Sequence, residues 1–215
     1  LDLMFNQNLS DLAVPAIPRG VTHLALTGAR KLTNRAIADL PRSLTYLDIK
    51  MAKISDEAIK DMPRGLENLL MGCNELLTSR ATPDLPRGLL ALDMAWNVHL
   101  DDSGIEHLPR TLTHLDLESN KKLTDKSIED LPRTLTHLNL SSNPNLTDAC
   151  AAYFPPRLAY LDLSSNVGFT DDAIEKLPRH LLFLSLKSNN HLTDKCAPHF
   201  PRHLLHLDLH SNTLL

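Results

Sequence analysis

The stretch Leu108–Leu131, LPRTLTHLDLESNKKLTDKSIEDL, decides how the rest of the chain is read. Its apolar residues fall at Leu112, Leu115 and Leu117 and then, after Asn120, at Leu123, Ile128 and Leu131. Alternation through THLDLES sends Leu115 and Leu117 to one face and His114, Asp116 and Glu118 to the other, which is the period of a strand. Beyond Asn120, Leu-Thr-Asp offers a capping oxygen and a negative charge suited to a helix N-terminus. Ile128 and Leu131 then share one helical face, while Glu129 and Asp130 are left to solvent. Pro132 stops that helix, and about two turns fit between cap and proline.

A Pro-Arg pair marks the copies of this unit, at Pro18, Pro41, Pro63, Pro86, Pro109, Pro132, Pro156, Pro178 and Pro201. With Pro155 taken as the repeat's proline, every interval is 23 residues except the 22 between Pro41 and Pro63, where one residue is missing after Ala52. Eight full units therefore cover 18–200, with part-units at 1–17 and 201–215, and the whole of 1–215 reads as one elongated domain. Each unit leaves apolar surface that only a neighbour can cover, so stability is a sum over coils. Bare ends would expose sheet edges and core. On that ground the chain reads as an internal piece of a longer protein.

Asn120 recurs as a column at Asn74, Asn97, Asn143, Asn166, Asn189 and Asn212. A buried amide there satisfies backbone groups of the turn, and stacking makes a ladder. Ala29 and Ala52 stand in that place earlier. Alanine cannot make those bonds, so the first two coils are expected to be less regular.

The L-x-x-L-x-L-x-x-N spacing is identified as that of a leucine-rich repeat. The expected fold is α/β: a curved right-handed solenoid with a parallel β-sheet on the concave side and short helices on the convex side. L-P-R-x-L-T-x-L-x-L-x-x-N further resembles the LP-type repeats of bacterial effectors delivered into host cells. In that family the solenoid recognises substrate or restrains a separate ubiquitin-ligase domain. The half-unit x-x-L-T-D-x-x-I-x-x-L looks like the cysteine-containing repeats of F-box adaptors, with asparagine here in the cysteine's place. The opening FNQNL…IPRGVTHL is similar to the FNIP repeats of amoebae and giant viruses.

Stacking turns each strand position into a column. The first outward column reads His23, Tyr46, Asn68, Ala91, His114, His137, Tyr160, Phe183, His206; the second Ala25, Asp48, Leu70, Asp93, Asp116, Asn139, Asp162, Ser185, Asp208. The third reads Thr27, Lys50, Gly72, Ala95, Glu118, Ser141, Ser164, Lys187, His210. Rings supply contact area at low entropic cost and aspartates supply charge selectivity, as a protein-binding face requires. The competing reading is that duplication copies whatever an exposed strand tolerates. The contact residues expected from the stripe are Tyr46, Asp93, His114, Asp116, His137, Asn139, Tyr160, Asp162 and Phe183.

Trp96 replaces the serine of the other units at the lip after the strand, next to Met94 and in one column with Met51 and Cys73. It reads either as an interface anchor or as a packing patch over the early coils. The arginines from Arg19 to Arg202, Arg157 among them, form a row that each time follows a helix C-terminus, where a cation suits the dipole. His114 with Asp116, and His206 with Asp208 and His210, lack a convergent third ligand, so no metal site is expected.

Composition narrows the rest. A net charge of −4 from 22 basic and 26 acidic residues gives no support to nucleic-acid binding. No apolar run reaches membrane-span length. Cys150 and Cys196 sit two coils apart, beyond disulfide reach, and Cys73 is alone, so free thiols and a cytoplasmic setting are expected, the host cytosol for a delivered effector. No nucleophile elbow, zinc motif or phosphate loop is present. The sequence thus predicts a non-enzymatic protein-recognition module without cofactor or small-molecule substrate, whose partner is another protein. The alternatives are a structural or autoregulatory cover on a flanking domain, or the substrate-binding part of an enzyme whose catalytic domain lies elsewhere.

Overall fold

The computed structural model describes residues 1–215. Nine three-residue strands lie in one sheet in chain order, all parallel. They are β1 (His23–Ala25), β2 (Tyr46–Asp48), β3 (Asn68–Leu70), β4 (Ala91–Asp93), β5 (His114–Asp116), β6 (His137–Asn139), β7 (Tyr160–Asp162), β8 (Phe183–Ser185) and β9 (His206–Asp208). The register pairs like with like: His114 faces His137, Leu115 faces Leu138 and Asp116 faces Asn139. The sequence columns are therefore physical columns. Behind the sheet the two inward apolar residues of each coil from β1 to β8 (leucine, with Ile49, Met71 and Met94), the Leu of Leu-Thr-Asp and the inward helix residues merge into one core along the chain. Phe169 takes the Leu-Thr-Asp leucine's place and is fully buried.

The α-helical segments are shorter than the two turns predicted. Five are α-helical, α1 (Asn34–Ala38), α2 (Asp56–Ile59), α3 (Asp102–Ile105), α4 (Asp125–Glu129) and α5 (Asp171–Ile174). The other four, Asp11–Ala16, Ser79–Asp84, Asp148–Tyr153 and Asp194–His199, are 3₁₀. Pro15, Pro83 and Pro198 lie inside three of these and cannot donate the i→i−4 bond an α-turn needs; Ala152 holds the same place in the remaining one.

Three hydrogen-bonded ladders lock coil to coil. In the asparagine ladder Asn120 Nδ2 donates to Met94 O and Leu117 O, both at 3.0 Å, while Asn120 Oδ1 accepts from Asn97 N at 3.1 Å. The early coils, expected to be irregular, keep the same turn instead. Gly28 and Met51 take the left-handed conformation that Ser119, Ser142 and Ser165 take later, and β1 to β3 pair as the others do. The backbone turn is set by this left-handed residue, so the alanines cost only the side-chain amide's own bonds; Asn74 Oδ1 is buried without a partner, and so is Asn143 Oδ1 among the regular coils.

The second ladder was only half visible in sequence. The Leu-Thr-Asp aspartate grips the next coil: Asp148 accepts from Thr170 N at 2.8 Å and Thr170 Oγ1 at 2.5 Å. Asp11, Asp56, Asp102, Asp125 and Asp171 do the same to Thr33, Thr78, Thr124, Thr147 and Thr193. Where the pair differs in sequence the clamp survives: Asn34 bonds Ser55 through both amide atoms, and Ser79 exchanges roles with Asp101.

The third ladder is arginine. Arg110 Nη2 donates to Glu106 O of its own coil at 2.8 Å, and Nη1 to Asp130 O of the next at 2.6 Å. Arg19, Arg42, Arg64, Arg87 and Arg179 repeat both bonds, and Arg133 makes the bond to the next coil. These guanidiniums satisfy the carbonyls that a helix end leaves open. Arg157 is no member of the row, because Pro156 occupies the arginine's place and shifts Arg157 one residue on.

Candidate functional site

The outward face of the sheet is built from side chains that register alone brings together. In the first column the rings of His114, His137, Tyr160, Phe183 and His206 stack continuously, with centroid distances of 4.1, 5.8, 4.2 and 4.7 Å and interplanar angles of at most 19°. Thr113 and Thr136 hydrogen-bond His114 Nδ1 and His137 Nδ1, each at 2.9 Å, which fixes the imidazole planes for stacking. His23 and Tyr46 form a separate pair at 5.8 Å. Asn68 and Ala91 interrupt the column between the two groups.

The second column lies deeper than alternation suggests. Asp48 and Ser185 are buried, although they occupy outward positions. The carboxylates are held by backbone: Asp93, Asp116 and Asp162 each accept from the amide two residues on, at 2.9, 2.9 and 2.8 Å, and Asn139 accepts likewise at 3.0 Å. Lys50 Nζ reaches across a whole coil to Asp93 Oδ2 at 3.1 Å. Gly72 lies between them, and a Cβ on it would come within 3.0 Å of Asp93 Oδ1 and 2.9 Å of Ala95 O. Burial opposes the Lys50 charge, but Asp93, by charge and by hydrogen bond, outweighs it and raises the ammonium's pKa. Burial raises the Asp116 carboxyl to about 6, with Asp93 and Glu118 adding to the rise and the Glu118 amide and Asn139 offsetting part of it. Burial, then neighbouring His114, lowers the pKa of His137.

Where the ring column breaks, the face sinks into a depression of about 290 Å³. Asp93, His114, Asp116, His137, Asn139 and Tyr160 line it, with Leu70 and Ala91. The structure thus gathers six of the predicted contact residues in one place. Asp162 and Phe183 continue the two columns beyond it, and Tyr46 stands apart with His23. Leu70 and Ala91 were missed, though the signal was in the columns: an apolar residue among acids and a methyl among rings.

Trp96 lies outside this depression, half exposed at the lip, with φ 59°. Met94 is fully buried behind the sheet and does not share the lip. Phe5, Met51 and Cys73 hold the same left-handed position in the coils before, and serines hold it in the coils after. Cys73, Cys150 and Cys196 are all free. Burial, aided by Asp125, raises the Cys150 thiol far above its usual range, and burial raises Cys196 to about 11, so neither is a ready thiolate. No three His, Cys, Asp or Glu side chains come together to hold a metal ion, and no helix is long and apolar enough to cross a membrane.

Comparison with known proteins agrees with this architecture. The family described as Leucine Rich repeat matches at residues 41–62, 109–131 and 132–151. No curated protein matches the sequence. Among solved structures, the chain is similar to the leucine-rich repeat-containing protein LegL7 of Legionella pneumophila, at 18% identity and TM-score 0.63, over 96% of this chain and 89% of that one. It is also similar to a chain of the Rad7 and Elc1 complex of yeast, at 18% identity and TM-score 0.61, over 97% of this chain and 68% of that one. An internalin of Listeria monocytogenes is similar at 23% identity and TM-score 0.67, over 89% of this chain and 54% of its own. With its in-register parallel sheet, its asparagine ladder and these matches, the chain folds as a leucine-rich repeat solenoid.

Proposed function

We propose that the sheet face, the concave side of the solenoid, is a protein-recognition surface. The observation that carries this is the stack of five rings over consecutive strands beside a row of backbone-held carboxylates. Rings already fixed by stacking and by threonine lose little entropy on binding, and aromatic contacts dominate interface energetics. That a similar fold occurs in the complex of Rad7 with Elc1 supports the reading. In it the chain is a target-binding module working in the cytosol, its own or a host's, as free thiols favour. Trp96 is a second anchor at the lip, where a strained bulky residue stands in place of serine.

The test uses a binder selected against the chain, titrated against the parent and the double variant His137→Ala/Tyr160→Ala. Affinity is expected to fall at least about tenfold, the scale of losing two interface rings, with melting temperature nearly unchanged. Undiminished affinity, or a collapsed fold, would count against the proposal.

A further inference from the structure

Charge on this molecule is unevenly placed. The three outward columns and the one before them, Thr22 to Leu205, carry seven carboxylates and two lysines out of 26 acidic and 22 basic residues. The remainder therefore has 19 acids against 20 bases, so the negative charge of the chain resides on the sheet face. Little of it is neutralised there. Lys50 pairs with Asp93, while the other two ion pairs, His107–Glu106 and His199–Glu175, lie off the sheet. Asp116, Glu118 and Asp162 have no cation within ion-pair distance.

The depression concentrates this charge beside apolar and ring surface. Leu70 and the Ala91 methyl line one part, the stacked His114 and His137 imidazoles another, and Asp93 and Asp116 supply the carboxylates. A long side chain with an aliphatic stem and a cationic head matches all three: the stem meets Leu70 and Ala91, and the head meets carboxylates and ring faces. An acidic or phosphate-bearing ligand meets only repulsion.

Building on the recognition reading above, we infer that the depression receives an arginine or lysine side chain from a basic segment of the partner protein. The groups facing Asp116 are Asp93 on β4, which is tied to Lys50, Glu118 just beyond β5, His137 and Asn139 on β6, and Tyr160 on β7. A cation arriving there meets a carboxylate whose ionisation burial has disfavoured, and it stabilises the ionised form. Binding therefore strengthens as pH rises from about 5 to about 7.

Displayed random peptides selected on the immobilised chain near neutral pH and physiological salt test this, followed by Kd measurement by fluorescence anisotropy. The variants are Asp116→Asn, Ala91→Tyr and Tyr160→Ala. The first two copy what other coils carry in the same columns, Asn139 and Tyr160, and melting curves check their fold. Selected peptides are expected to be rich in arginine or lysine. Their binding is expected to weaken about tenfold in Asp116→Asn and in Ala91→Tyr, and about tenfold again in the parent at about pH 5. Apolar or acidic peptides, basic peptides indifferent to both variants, or no enrichment would overturn the inference. Peptides of another chemistry that still lose affinity in Tyr160→Ala would leave the recognition face standing; peptides indifferent to all three variants would remove both.

Discussion

Asp116 shows how much a single position owes to stacking. As an aspartate between two inward leucines it reads as exposed, yet the coils on either side desolvate it and its carboxyl titrates near 6. The native state therefore holds the proton more tightly than the unfolded chain does. Stability from this group is highest below the unfolded carboxylate pKa and falls as pH rises from about 4 to about 6. Asp116→Asn, which keeps the bond from the Glu118 amide, is expected to gain on the order of 1–2 kcal/mol near pH 7 and nothing near pH 4, measured by urea unfolding. An equal difference at both pH values would contradict the assignment. Trp96 makes a second case. Its left-handed backbone costs about 1 kcal/mol for a bulky residue, so Trp96→Gly should leave stability within about that amount while lowering affinity for a selected binder. Residue type and column were legible in sequence for both; depth and backbone angle were not, because neighbouring coils set them.

At the scale of elements, the positions that recur from coil to coil serve to join coils. The Leu-Thr-Asp aspartate reads in sequence as a helix cap, and the threonine does cap, as Thr170 Oγ1 accepting from Asp172 N illustrates. The aspartate's larger role is to bind the following coil, and this was not legible, because its partner lies 22 residues away. The swaps at Asn34–Ser55 and Ser79–Asp101 show that the bond, rather than the residue, is what the fold requires. Asp148→Ala is accordingly expected to cost about 1–2 kcal/mol and Asp148→Asn about half that, again by urea unfolding. The arginine row allows a sharper contrast. Arg110→Ala removes two bonds to helix-end carbonyls and is expected to cost about 1 kcal/mol. Arg157→Ala removes none and should stay within about 0.5 kcal/mol. Equal effects would mean that the row acts by charge alone.

The whole molecule follows from one repeated choice of residues, so the period alone carried the architecture. The parallel sheet, the order of its strands and the inward leucines were all readable from the 23-residue spacing. Its surface was readable only in part. Columns named the rings and acids, but the break at Ala91 that forms the depression, and the bridge from Lys50 over Gly72 to Asp93, needed coordinates to acquire meaning. The polar residues of the sheet face give it a sign, negative against a balanced remainder, and its rings give it a grip. A photo-crosslinking side chain placed at Phe183 in the ring column, or at exposed Lys126 on the helix side, reports directly where a bound partner sits. Crosslinks are expected from position 183 and none from position 126; crosslinks from 126 with none from 183 would mean that the sheet face is not where the partner binds.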